Sequence, residues 1–242
     1  MQNASLGAVI EDGDRVIPMS RLRKLVADHM VYSKRTSPHV GTVAEIDMSA
    51  VARLREANKS RFEALHGVSL SFLPFIVNAV VRALRETPSL NASVIEDAIV
   101  EKRAINIGIA VETEKGLMVP VVRDANRKSV EEIARQSARL SRRARRGELT
   151  SQEMTGGTFT ITNLGAAGID AFTPIVNPPQ CAILGLGRIA QRPAVHEGRV
   201  VPRWLTVVSL TFDHRLVDGA PAARFLAPLR ELVESPIDLG AE

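Results

Sequence analysis

The sequence predicts an α/β domain. Segments of helical and strand periodicity are intermixed along the chain rather than segregated, and no fixed-period repeat is visible. The 242 residues, 45% of them hydrophobic, suffice for one large domain with a full core or two small ones.

Residues 1–16 read as a tail or linker remnant. Ile17-Pro18-Met19-Ser20 then introduces a helix, with Ser20 as N-cap and Leu22, Leu25, Val26 and Met30 on one face. Ser37-Pro38 breaks it. His39 to Met48 predicts a strand, and Ser49 begins a second helix to about Leu65, with Val51, Leu54, Ala57 and Phe62 as its apolar face. Val68 to Thr87 is strongly apolar and helical. Pro74 is tolerable in its first turn if the helix starts near Ser71, and Pro88 ends it. Ala98 to Lys102, Ala104 to Val111 and Gly116 to Val122 predict strands. Ser129 to Gly147 predicts a helix opened by a capping box, Ser129 with Glu132. Strands follow at Thr158 to Thr162, Ala182 to Gly187 and Arg199 to Thr211, and a closing helix at Ala220 to Glu234.

Several function classes drop out. No apolar run reaches the ~18–20 residues that span a bilayer. The first 15 residues are polar and acidic, unlike a secretory or mitochondrial presequence, so a cytoplasmic protein is expected. The single cysteine, Cys181, gives no disulfide framework and no thiolate metal site, and its apolar neighbours predict a buried, inert thiol. The net charge of +4 owes much to Arg135, Arg139, Arg142, Arg143, Arg145 and Arg146. Aromatics are 4% and do not alternate with these arginines, so a nucleic-acid surface lacks stacking partners and a solvated helix face is favoured. Gly185-Leu186-Gly187-Arg188-Ile189-Ala190 fits a dinucleotide fingerprint, but Arg192-Pro193 follows where a helix would have to open.

The stretch that carries chemistry is Asp213-His214-Arg215-Leu216-Val217-Asp218-Gly219. A histidine at a strand end, with a carboxylate four residues on, suits a general base. Asp218 can fix local geometry or cap the last helix, and Gly219 lets the chain turn without a Cβ clash. No Gly-x-Ser-x-Gly elbow is present, so no covalent nucleophile is apparent.

This motif resembles the Asp-His-Arg-x-x-Asp-Gly signature of the dihydrolipoamide acyltransferases, the core components of 2-oxo acid dehydrogenase complexes. Ile105 to Val111, Gly116 to Val121, Gly156 to Asn163 and Pro174 to Gln180 match further family segments in the same order, from about Val16 onward. The resemblance implies a two-layer fold of the chloramphenicol-acetyltransferase type, a mixed sheet with packed helices, with residues 17–242 forming the catalytic domain. It also implies acyl transfer between dihydrolipoamide and coenzyme A. The lipoyl group would be supplied by a separate lipoyl domain. Homotrimers would build a cubic or dodecahedral core. The decarboxylase and dihydrolipoamide dehydrogenase components would join through domains for which this chain has no room.

By the same resemblance, His214 is the general base and the Thr162 hydroxyl steadies the tetrahedral oxyanion. Asp218 supports the site. His214 and Thr162 would come from neighbouring subunits. Arg21, Arg23 and Lys24 are the candidates for the coenzyme A phosphates. Pro38-His39 matches another family motif, with His39 read as structural, and Asp213 and Arg215 read as a charge pair or loop anchors. Ile237 and Leu239 are the apolar anchors the C-terminus offers for assembly. Two rivals stay open: a non-catalytic scaffold core, and a small-molecule O-acetyltransferase using the same histidine. The acyl group itself is not readable.

Overall fold

The computed structural model describes residues 10–236. Most of the 1–16 segment, and Ile237 and Leu239, lie outside the described residues. In chain order the elements are α1 (Arg21–Thr36), β1 (His39–Asp47), α2 (Ser49–His66), α3 (Leu73–Glu86), β2 (Ala92–Ile95), β3 (Ala98–Glu101), β4 (Ile107–Ile109), β5 (Val111–Thr113), β6 (Gly116–Met118), β7 (Val121–Val122), α4 (Val130–Arg146), α5 (Ser151–Met154), β8 (Phe159–Asn163), β9 (Ala182–Leu186), β10 (Ala190–His196), β11 (Arg199–Asp213) and α6 (Gly219–Glu234).

The main sheet runs β1-β11-β9-β8-β4-β7, with β10 added to the free half of β11. β8 is parallel to both β9 and β4, and the other pairs are antiparallel. The sheet is therefore mixed, as expected. Helices α3, α4 and α6 cover one face: α3 packs on both α4 and α6, and the Phe159 ring of β8 meets Phe225 of α6 at 5.8 Å. Phe159, Ile161, Leu184, Leu210 and Phe212 are fully buried. The period of two sends Thr160 and Thr162 to the opposite face. That face is covered in part by the 164–181 segment, whose Phe172 ring occupies the space a Cβ at Gly185 would need. The segment approaches the sheet so closely that a Cβ at Gly187 would collide with the Asp170 carbonyl oxygen.

Local chemistry explains the helix bounds. Ser20 accepts the Arg23 N–H at 3.2 Å and opens α1. Pro74 sits in the first turn of α3, where its missing N–H costs nothing. Both bonds of the Ser129–Glu132 capping box form, at 3.1 and 2.8 Å, and Gly147 closes α4 with φ of 70°. Ile133, Ser137, Leu140 and Ala144 line its buried face at helical spacing.

Three expectations need correction. The strand expected over Ala104 to Val111 breaks at Ala110, where the chain leaves the main sheet for the β5–β6 hairpin. The strand expected over Gly116 to Val122 splits at Pro120, which has no N–H for a ladder. β10, expected as loop because of Arg192-Pro193, is a strand. It pairs with β11 alone, so a proline donates nothing that is missed, and Pro193 faces Pro202. α1 forms with its apolar stripe in place, but Leu25 is 59% exposed and Leu22 41%, and Ser33 is its one buried residue. Nothing in the described chain covers that face. Among the described residues no helix is long and apolar enough to cross a membrane.

Candidate active site

β11 delivers His214 to the end of the sheet. Its last residue, Asp213, is 2% exposed, and its N–H donates to the Cys181 carbonyl at 2.9 Å. The Asp213 carboxylate accepts a bidentate pair of bonds from Arg215, with Nη2 at 2.6 Å and Nε at 3.0 Å, together with the Arg215 backbone N–H. Burial works to raise the Asp213 pKa. The hydrogen bonds from Arg215 and from the Ser37 hydroxyl outweigh it and hold the carboxyl below its ordinary value. Asp213 and Arg215 thus tie the turn into a fixed shape on either side of His214.

This pair gives a stability prediction. Asp213→Asn should cost about 2 kcal/mol, since a buried, multiply bonded carboxylate is replaced while Arg215 keeps access to water. A carboxyl held below its unfolded pKa contributes fully above about pH 4 and loses that contribution as the pH falls through its folded value. Urea unfolding of wild type and variant should therefore differ by that amount at pH 7 and converge at lower pH.

The His214 side chain is 43% exposed, open to a substrate. Its backbone N–H donates to the Pro38 carbonyl at 2.9 Å, and its ring stacks on Phe212, with centroids 6.1 Å apart. A cavity of about 280 Å³ lies beside the turn, lined by His29, Tyr32, Ser37, Gln180, Asp213 and Arg215 among others.

Asp218 occupies the N-cap position of α6, but its side chain caps nothing, which corrects that expectation. Its carboxylate is 84% exposed and stands 3.8 Å from His214 Nδ1, beyond hydrogen-bond reach but near enough to act on a charged imidazole. Gly219 is the first residue of α6, and a Cβ there would meet nothing within 4 Å. The turn does not need a glycine for room.

Thr160 and Thr162 share a sheet face but differ in what they hold. Thr160 is buried and its hydroxyl donates to Gln180 Oε1 at 2.6 Å. Thr162 is half-buried and its hydroxyl makes no hydrogen bond among the described residues. Register then separates Thr162 from His214. Thr162 lies level with Gly185, and Gly185 with Ser209, five residues short of His214. At ~3.3 Å per residue and ~4.8 Å per strand the two are roughly 19 Å apart, at opposite ends of the sheet. One chain does not bring them together.

Arg21, Arg23 and Lys24 are exposed in the first turn of α1. The other end of that helix leads into Ser37-Pro38, beside His214. At ~1.5 Å per residue the cluster stands roughly 20 Å from the turn. Cys181 is buried and its thiol is pushed up to about 12, chiefly by burial, so it is no nucleophile. β10 follows Gly185–Gly187 where a dinucleotide site would need a helix. Among the described residues no cluster of His, Cys, Asp and Glu could hold a metal.

Sequence reasoning gave Ser37 and Gln180 no role. The structure places Ser37 against Asp213, and Gln180 against Thr160. Both lie within or beside motifs already noted, but their partners are distant in sequence.

Comparisons with known proteins agree with this architecture. The family model for the catalytic domain of 2-oxoacid dehydrogenases acyltransferase matches residues 11–241. The dihydrolipoyllysine-residue acetyltransferase component of the pyruvate dehydrogenase complex of Staphylococcus epidermidis is 44% identical over 97% of this chain. The succinyltransferase component of the 2-oxoglutarate dehydrogenase complex of Haemophilus influenzae is 42% identical over 93%. The chain spans 55% of the length of each.

Among solved structures, the dihydrolipoamide acetyltransferase of Azotobacter vinelandii superposes with a TM-score of 0.88, at 37% identity over 92% of both chains. That work concerned the catalytic role of a serine, a histidine and an asparagine. The cubic core of a pyruvate dehydrogenase multienzyme complex gives 0.87 at 36% identity, over 96% of this chain and 94% of that one. A chloramphenicol acetyltransferase gives 0.51 at 16% identity, over 85% of this chain and 94% of that one, which shows a shared fold. The chain belongs to the 2-oxoacid dehydrogenase acyltransferase family, of which it carries the catalytic domain.

Proposed function

We propose that residues 17–242 form a dihydrolipoamide S-acyltransferase domain that moves an acyl group between a lipoyl domain's dihydrolipoamide and coenzyme A. The observation that carries this reading is a half-exposed His214 on a turn braced by the ion pair of Arg215 with the buried Asp213 carboxylate. A free thiol is mostly protonated at neutral pH, and an imidazole is a suitable base for it. His214 takes the thiol proton as sulfur attacks the thioester carbon. The tetrahedral oxyanion accepts a hydrogen bond from the Thr162 hydroxyl. Collapse expels the second sulfur, to which His214 returns the proton. No acyl-enzyme is needed, and Cys181 is too deeply buried to form one.

The roughly 19 Å between Thr162 and His214 within a chain supports a site shared between subunits. The uncovered apolar face of α1 supports the same reading, since such a face is buried by association. We infer a homotrimer that assembles into a larger hollow core, and the likeness to a protein that forms a cubic core supports such an assembly. In the Azotobacter protein the named serine and asparagine stand at the same separations from the histidine as Thr162 and Asp218 do from His214. This supports their assignment as oxyanion donor and site support. Arg21, Arg23 and Lys24 would meet the coenzyme A phosphates at the far end of an extended substrate. We place the reaction in the cytoplasm, where thiols stay reduced.

The test is a panel of acyl-coenzyme A donors, acetyl, succinyl and branched-chain, against dihydrolipoamide. Turnover of one or more is expected. A scaffold would give no rate with any donor. Transfer to a hydroxylated acceptor with none to dihydrolipoamide would favour an O-acetyltransferase.

A further inference from the structure

We infer that His39 is a positioning residue for His214, and that it works as one fixed tautomer. The inference rests on His214 being the base.

His39 opens β1, directly opposite Asp213 in the ladder. Its ring touches two backbone groups whose roles are not negotiable. Nδ1 lies 2.7 Å from the Ser37 carbonyl oxygen, which can only accept. Nε2 lies 3.0 Å from the Val176 backbone nitrogen, whose N–H can only donate. The proton must therefore sit on Nδ1, and Nε2 must be a bare acceptor. A ring protonated on both nitrogens would face the Val176 N–H with a second donor.

The two ends of this ring join the segments that fix the base. On one side is the Ser37-Pro38 corner: the Pro38 carbonyl accepts the His214 N–H at 2.9 Å, and the Ser37 hydroxyl supports the Asp213 carboxylate. On the other is the segment around Val176, which continues into Gln180, a wall of the cavity beside Asp213 and Arg215 and the partner of Thr160. The Val176 carbonyl accepts from Ser33 Oγ at 2.6 Å, so the end of α1 is tied to the same knot. His39 thus links the corner beneath His214 to the 174–180 wall through both ring nitrogens. It touches no reacting atom, and it acts through the placement of His214 and of the wall.

Two substitutions separate the ring's ends. Gln can carry a carbonyl oxygen to the Nε2 position and keep the Val176 bond. Asn can reach the Nδ1 position with a donor but leaves Val176 without an acceptor. A misplacement of about 1 Å at a reacting group can cost ~10²-fold in rate. His39→Ala should therefore lower kcat by roughly 10- to 100-fold with KM for coenzyme A changed less than threefold, and His39→Asn and His39→Gln, each keeping one end of the link, should fall between His39→Ala and wild type. Loss in KM alone, full activity in all three variants, or equal loss in Gln and Ala would overturn the inference. Because a variant could fail to fold, the wild type gives an independent reading. Histidine-selective ¹⁵N NMR at neutral pH should show the His39 ring neutral with the proton on Nδ1. A proton on Nε2 would overturn the assignment. A wild type inactive with every donor would instead count against the acyltransferase reading and leave the tautomer result to stand by itself.

Discussion

His214→Ala should lower kcat for acyl transfer by about 10²- to 10⁴-fold, the usual worth of a positioned base. The fold should survive. The imidazole is 43% exposed, and among the described residues its one contact with a carboxylate is the 3.8 Å approach to Asp218. The structural bond at this residue, N–H to the Pro38 carbonyl, belongs to the backbone and remains in alanine. Unfolding free energy should change by about 0.5 kcal/mol or less, as for a surface substitution. Parallel measurement of initial rates and thermal unfolding checks both halves. A variant within threefold of wild type would show that the imidazole is not the base. A variant that is inactive because it is unfolded would contradict the exposed, lightly held ring described above.

Thr162→Val should cost about 10²- to 10³-fold in kcat, the ~2.7–4 kcal/mol lost when one oxyanion donor is removed. Valine keeps the shape and the strand preference, so the change isolates the hydroxyl. Thr162→Ser should retain most of the rate. The neighbouring threonine supplies the control. The Thr160 hydroxyl is buried and committed to Gln180, so Thr160→Val should show up as lost stability, with a Gln180 oxygen left unpaired. Rates and urea midpoints for the three variants distinguish a hydroxyl used in chemistry from one used in packing.

The sequence made some of this legible for physical reasons that can be named. The Ser129–Glu132 box and Gly147 bound α4 because capping is local, decided by residues three or four apart. The helix of α1 was legible for the same reason, but its burial was not. Leu22, Leu25 and Val26 mark an apolar face, and no pattern within one chain says whether the covering surface belongs to that chain. β10 was hidden by Pro193, because a proline rules out a central strand but not an edge one. Asp218 looked like a cap by type and position, yet its side chain points elsewhere. His214 stood out because the motif is contiguous. His39 could be read as structural but not given its partners, since Val176 is 137 positions away and the atoms that fix the ring are backbone. The separation of Thr162 from His214 follows from strand order, and that order is set by long-range pairing no short window contains.

A site divided between protomers is best tested by mixing two dead proteins. His214→Ala and Thr162→Val chains are unfolded together, refolded in equal amounts and assayed against each alone. In a closed ring of three, every mixed trimer holds one site with both residues intact, so about a quarter of wild-type activity should return. Activity no higher than the sum of the two separate variants, in trimers shown by mass spectrometry to be mixed, would contradict a site built from His214 of one subunit and Thr162 of the next.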